Sequence, residues 1–240
     1  MLAIYKREMR AYFTSPIGYI FIGLFLAVSG ILFSVCTLLA GADSDVNTYF
    51  TMILYAFIIV IPFITMRSFA EERKQKTEQL LLTSPVSIAG MVAAKFLAAF
   101  TLFLGTFLVS CLQLSLLGKY TADTINGVNY PRIWGNIFAG ILVGAACIAI
   151  GIFISSLTEN QIVAAVGTIS VLLLFFVLNI LNSFIDSFLI RTLVNWFSVL
   201  SRYMNFTYGI FDFTALLYYF SICVVFLFLA VRVFEKRRWS

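Results

Sequence analysis

The sequence predicts an all-α polytopic membrane protein, with six transmembrane helices, an N-terminal cytoplasmic interfacial helix, and outer re-entrant helices between spans five and six. Three observations predict it. Hydrophobic residues make up 62% of the 240-residue chain and charged residues only 11%, where a soluble domain carries about a quarter charged residues. Mean hydropathy is +1.01. The apolar residues gather in runs near the ~20 residues a helix needs to cross a bilayer, and about six such runs fit with short loops. The whole chain, 1–240, therefore reads as a single membrane domain.

The first element is an amphipathic helix over residues 1–14. At 100° per residue, Met1, Leu2, Tyr5, Met9, Tyr12 and Phe13 fall on one side. Lys6, Arg7, Arg10 and Thr14 fall on the other. Such a helix lies in the interface, with its basic side toward headgroups and cytosol. Glu8 sits at the edge of the apolar face and calls for a partner. Ser15-Pro16 ends the helix. No small-residue cleavage site follows a short apolar core, so a cleavable signal peptide is not expected.

Six spans follow, at about Ile17–Leu39, Thr48–Met66, Ile88–Leu117, Gly135–Ile154, Gln161–Phe184 and Phe213–Phe234. The third is long enough to tilt or to extend past the hydrocarbon. The fourth carries Gly140 and Gly144 at the spacing that lets membrane helices approach closely. Gln113, Asn179 and Asn182 are the polar side chains nearest to span interiors, placed to hydrogen-bond between helices or to line a pathway.

Between spans two and three lies the most polar stretch, RSFAEERKQKTEQLLLTSP, with seven of the 27 charged residues. Ser68 and Glu71 fit a capping box for a helix starting there. Glu72–Lys76 is an i,i+4 pair of favourable orientation and Lys74–Glu78 the reverse one. Leu80, Leu81 and Leu82 turn the helix back to the bilayer, and Thr83-Ser84-Pro85 ends it. A solvated connector and a handle for a partner protein are the two readings of this segment, 67–87. It is far more elaborate than the other loops.

Residues 185–212 are too apolar for an ordinary loop. As a seventh span they would carry Arg191 and Arg202 across the bilayer. Short extracytoplasmic re-entrant helices suit them better, with an interfacial aromatic belt as the alternative. Placing both termini in the cytoplasm puts 12 of the 16 lysines and arginines on that side, the arrangement that the positive-inside rule favours.

Composition also excludes chemistry. The chain has no histidine, which removes Ser-His catalysis and His metal sites. Cys36, Cys111, Cys147 and Cys223 are scattered through apolar runs rather than spaced as metal ligands or a disulfide framework. Nothing matches the G-x-x-x-x-G-K-[ST] phosphate loop, and nothing points to nucleic acid. Carboxylates that an intramembrane enzyme could use, Glu159, Asp186 and Asp212, are far apart along the chain. No ionisable residue lies in the middle of a span, which counts against an ion-coupled carrier.

The charged loop resembles the signature of ABC type-2 exporter permeases, roughly F-x-x-E-[RK]-x-x-G-T-x-E-x-L-L-x-x-P-[VI]. Phe69, Glu72, Arg73, Thr77, Leu81, Leu82, Pro85 and Val86 match it. Lys76 stands where the family usually has glycine, which suggests a more continuous helix, and Glu78 is adjacent to Thr77 rather than one residue further on. The start, Lys6-Arg7-Glu8 and then Tyr12-Phe13-x-Ser15-Pro16-Ile17-Gly18-Tyr19, is similar to the branch with gliding-motility-associated and copper-enzyme-maturation members. So is Phe206-x-x-Gly209-Ile210-x-Asp212.

The resemblance implies a permease subunit in a bacterial plasma membrane. It would form a translocation pathway as a homo- or heterodimer, coupled to separate cytosolic ATPase subunits that bind ATP and Mg. An extracytoplasmic auxiliary subunit is a further expected partner. Glu71, Glu72, Arg73, Lys74, Lys76, Thr77 and Glu78 would then contact the ATPase, and Lys6, Arg7, Glu8 and Arg10 would make a second contact. Phe188, Trp196, Phe206, Gly209 and Asp212 are candidates for a pathway or gate. Two other functions stay open on the sequence: a scaffold linking an ATPase to an extracytoplasmic partner, and an ion-coupled carrier or channel.

Overall fold

The computed structural model describes residues 1–38, 46–77, 87–115, 130–181, 191 and 198–239. These form α1 (Leu2–Thr14), α2 (Pro16–Phe33, continued by a π turn over Ser34–Leu38), α3 (Val46–Thr65), α4 (Ala70–Lys74) and α5 (Ile88–Cys111). After them come α6 (Tyr130–Leu157), α7 (Gln161–Leu181), α8 (Val199–Thr207) and α9 (Phe213–Trp239). Six of them, α2, α3, α5, α6, α7 and α9, are long and apolar enough to cross a membrane. The expected all-α, six-span architecture is present, and α8 lies between spans five and six as a short helix that does not span.

Helix α6 is the axis of the bundle. In its most apolar stretch 67% of residues are buried, against 22% for α7 and 17% for α9. It packs on α3, α5, α7, α8 and α9. The exposed apolar rows of α7 (Ile162, Val166, Leu173) and α9 (Phe220, Val224, Phe228) are the bundle's outer surface, as a bilayer solvent allows.

The glycines of α6 have a specific use. A Cβ at Gly144 would lie 2.2 Å from Phe103 Cζ, and one at Gly140 2.7 Å from Phe107 Cζ. These two rings of α5 stack on each other (5.7 Å, 11°) and fill the groove that the glycines leave. Phe57 of α3 and Phe25 of α2 close on the same rings edge-on. The Gly140–Gly144 spacing thus receives aromatic side chains rather than a bare helix backbone.

Several sequence expectations shift. Helix α5 ends at Cys111 rather than near Leu117, and α6 starts earlier and ends later than Gly135–Ile154. On α1 the inward stripe is Ile4, Tyr5, Glu8 and Tyr12, whereas Met1, Leu2 and Phe13 stay exposed. Packing on α5 selects that stripe, and the remaining apolar residues are left on the open side. Burial pushes the Tyr12 phenol above its ordinary value. Asn179 donates to Ser198 and Ser201 (3.4 and 3.1 Å), a bond between helices of the kind expected. Asn182, Asp186, Phe188, Trp196, Glu78 and Leu80–Val86 lie outside the described residues.

Candidate functional site

One end of the bundle gathers α1, the segment 66–77, the first turns of α5, the turn between α6 and α7, and the last turns of α9. Its centre is Lys95, 2% exposed, in the second turn of α5. Its ammonium has three hydrogens to place, and three oxygens receive them. Ser68 O lies at 2.6 Å, Glu72 Oε1 at 3.0 Å and Glu8 Oε1 at 3.2 Å. The Phe69 ring lies 4.9 Å away, within cation–π range. Arg7 Nη2 then bridges Glu8 (3.0 Å) and Glu72 (2.7 Å) from the surface side. Two cations and two carboxylates close a neutral cluster that joins α1, α4 and α5. Glu8 finds in Lys95 and Arg7 the partners its position calls for.

Lys95 is not among the candidate site residues that the sequence singles out. The signal was available: it is the only charged residue in the third apolar run, and an ionisable residue there needs a partner.

The charged segment itself folds differently from expectation. The capping box of Ser68 and Glu71 does not form. Helix α4 is five residues long, with Phe69 at its N-cap and no capping bond from its own side chains. Ser155 of α6 supplies the cap: its Oγ accepts from the Phe69 and Ala70 amides (3.1 and 3.2 Å) and donates to Met66 O (3.3 Å). Glu71 is occupied by Arg67 and Gln75. The Glu72–Lys76 pair is also replaced, because Glu72 turns inward to Lys95 and Arg7. Arg73 reaches the next turn, bonding Leu157 O (3.2 Å) and Glu159 (2.7 Å). Phe69 packs against Phe234 of α9 with the rings tilted at 46° and their centroids 4.6 Å apart, and Arg237 donates to Ser156 O at 2.6 Å.

Nor is the helix more continuous at Lys76. Lys76 has φ +58°, the left-handed region, and the Thr77 amide and hydroxyl fold back on Glu72 O. The chain keeps a glycine-type turn with a lysine in it, at a cost of ~1–2 kcal/mol for a non-glycine residue. Lys76→Gly is therefore expected to raise stability by about 1 kcal/mol. Chemical denaturation of the purified chain measures it.

The segment's residues thus divide in two. Glu71, Glu72, Arg73 and Thr77 bond within the chain, whereas Lys74 and Lys76 are exposed. On α1, Glu8 is turned in, Arg7 is half-exposed, and Lys6 and Arg10 are exposed.

At the opposite end, Asn136 of α6 is fully buried. It donates to Asn47 Oδ1 (2.8 Å) and accepts the Tyr203 hydroxyl of α8. Of the proposed gate residues, Phe206 is buried against Phe138 and Phe211. Gly209 makes the left-handed turn after α8 (φ +74°). Asp212 caps α9, accepting from the Thr214 amide at 2.8 Å and from Asn205 at 2.7 Å. The Asn205 bond, with help from Thr214, holds the Asp212 carboxyl below the usual carboxylate range. Each of these three has a local structural job.

The fold is that of a polytopic helical membrane protein with a braced polar segment between its second and third spans. The model of the family described as ABC-2 family transporter protein matches residues 42–234, and the chain belongs to that family. It is the membrane component of an ABC transporter, a transport protein and not a catalytic one. No curated protein matches the chain.

Proposed function

We propose that the chain is an exporter permease that works as a dimer, with a second copy or a homologue, driven by two separate cytosolic ATPase subunits. ATP and Mg bind in those subunits. The braced end is the cytoplasmic face of a bacterial plasma membrane, a placement that rests on the lysine and arginine distribution. In this reading the chain belongs to the branch with gliding-motility-associated and copper-enzyme-maturation permeases, which adds an extracytoplasmic auxiliary subunit as a partner.

The observation that carries the proposal is how the segment 67–77 is fastened. Bonds from α1, α5, α6 and the α6–α7 turn hold its inward side. A push on such a segment moves the spans rather than bending a loop. In this reading Lys74 and Lys76, with Lys6 and Arg10 on α1, meet the ATPase. Glu71, Glu72, Arg73, Thr77, Arg7 and Glu8 keep that surface rigid. On the far side α8 and the residues around Phe206, Gly209 and Asp212 frame the exit.

The test is recovery of a Walker-loop ATPase with the chain from native membranes. Lys74→Glu with Lys76→Glu is expected to lower that recovery at least tenfold, with membrane insertion and melting temperature unchanged. Recovery equal to wild type places the contact elsewhere. No ATPase with the wild-type chain sinks the permease reading.

A further inference from the structure

A cleft of about 360 Å3 opens between α1 and the segment 67–77. Its volume is at the lower end of small-molecule sites. Its lining holds three cations, Arg7, Arg67 and Lys95, and three carboxylates, Glu8, Glu71 and Glu72. The grooves on the other side of α1 are lined by Met9, Phe13 and Ile22, or by Leu2, Tyr5 and Leu97, and are apolar.

Two features point to a ligand. Ser15 Oγ and Ser68 Oγ, from the two walls of this cleft, are shielded from solvent and have no hydrogen-bond partner among the described residues. Ser68 as a whole is 5% exposed. Buried hydroxyls in folded proteins nearly always have a partner, and serine can turn among three χ1 wells to meet one. The ion pairs also leave groups of both signs unused among the described residues. Arg67 bonds through Nε and Nη2 and keeps Nη1. Arg7 bonds through Nη2 alone. Glu72 accepts at Oε1 and keeps Oε2.

We propose that this cleft binds the headgroup of a zwitterionic phospholipid bearing a primary amine. The phosphate sits on Arg7 and Arg67 with the serine hydroxyls, and the ammonium sits on Glu72 Oε2. Charge balance selects this class. A purely anionic headgroup meets three carboxylates along with the three cations, so its attraction is offset. A zwitterion sets each of its charges against the opposite one. A quaternary ammonium has no N–H to give to Glu72. The location agrees with the reading of α1, which walls the cleft, as an amphipathic interfacial helix. Binding adds a second set of bonds between α1 and the charged segment.

The experiment uses the full chain in nanodiscs of phosphatidylethanolamine, phosphatidylcholine or phosphatidylglycerol, followed by native mass spectrometry and thermal unfolding. Phosphatidylethanolamine is expected to be retained after detergent exchange and to raise the melting temperature; the other two are not. Ser68→Ala lowers retention roughly fivefold, the loss of one hydrogen bond, and leaves the melting temperature of the lipid-stripped chain unchanged or higher. Arg67→Gln lowers retention further; where that variant fails to fold, Ser68→Ala alone decides. Soluble glycerophosphoethanolamine, added to stripped protein, separates the headgroup from the tails: a rise in melting temperature supports recognition of the headgroup itself. Equal retention of the three lipids, preference for phosphatidylglycerol, or retention untouched by Ser68→Ala overturns the proposal.

Discussion

Lys95→Ala is expected to destabilise the folded chain by about 3–5 kcal/mol, the cost of breaking a buried ion pair from one side. The ammonium is 1% exposed at its side chain, while Glu8 and Glu72 are 14% and 16% exposed. Removing it leaves two shielded carboxylates on either side of a cavity, with Arg7 alone to offset them. The Ser68 carbonyl loses its donor as well. Denaturant unfolding in detergent measures the loss. Combining Lys95→Met with Glu8→Gln and Glu72→Gln is expected to recover most of it, because the buried charges are gone and the one that stays, on Arg7, is half-exposed. The triple variant then separates stability from coupling: it folds, but α1 and the charged segment are no longer joined by charge. Wild-type stability in Lys95→Ala would show that the cluster holds nothing together.

The second large effect is expected at Gly144. Even an alanine there places its Cβ 2.2 and 2.3 Å from Phe103. Phe103 cannot retreat, since it is fully buried and packed between Phe57 and Phe107. Overpacking of this kind costs about 1–3 kcal/mol, so Gly144→Ala falls in that range and Gly144→Val exceeds it. Phe103→Leu combined with Gly144→Ala relieves the clash and is expected to be more stable than Gly144→Ala alone. Melting temperatures of the three variants decide. Gly23, which has open space where its Cβ would go, is the control that tolerates alanine.

What was legible in the sequence follows from what the bilayer enforces. Apolar runs near 20 residues had to be helices, so the spans were readable, with α5 ending six residues early and α6 starting five residues early. The need of Glu8 for a partner was readable too, because a carboxylate at the edge of an apolar stripe is costly alone. Capping was not. Ser68 and Glu71 have the right spacing for a box, but the Ser68 amide bonds Thr65 O, Glu71 is held by Arg67 and Gln75, and Ser155, some 85 residues away in sequence, takes the Phe69 and Ala70 amides; no local pattern reports that. Lys76 was misread for a related reason. A lysine has good helix propensity, yet the Thr77 amide and hydroxyl are drawn back to Glu72 and tertiary bonds fix Glu72 itself. Asn136 and Tyr203 were missed because each is an ordinary residue in its own helix and acquires a role only by meeting the other.

Helix α6 has one more consequence. Ser155 near one end receives the amides of the charged segment, and Asn136 near the other receives the Tyr203 hydroxyl of α8. The 18 residues between them lie in one uninterrupted helix, which sets the two side chains roughly 28 Å apart along its axis at 1.5 Å per residue. A helix resists stretching far better than it resists bending, and this one is clamped along its length by α3, α5 and α9. It is built as a pushrod in a sleeve: in the proposed transporter, a displacement entered at Ser155 would be carried along a single element to Asn136.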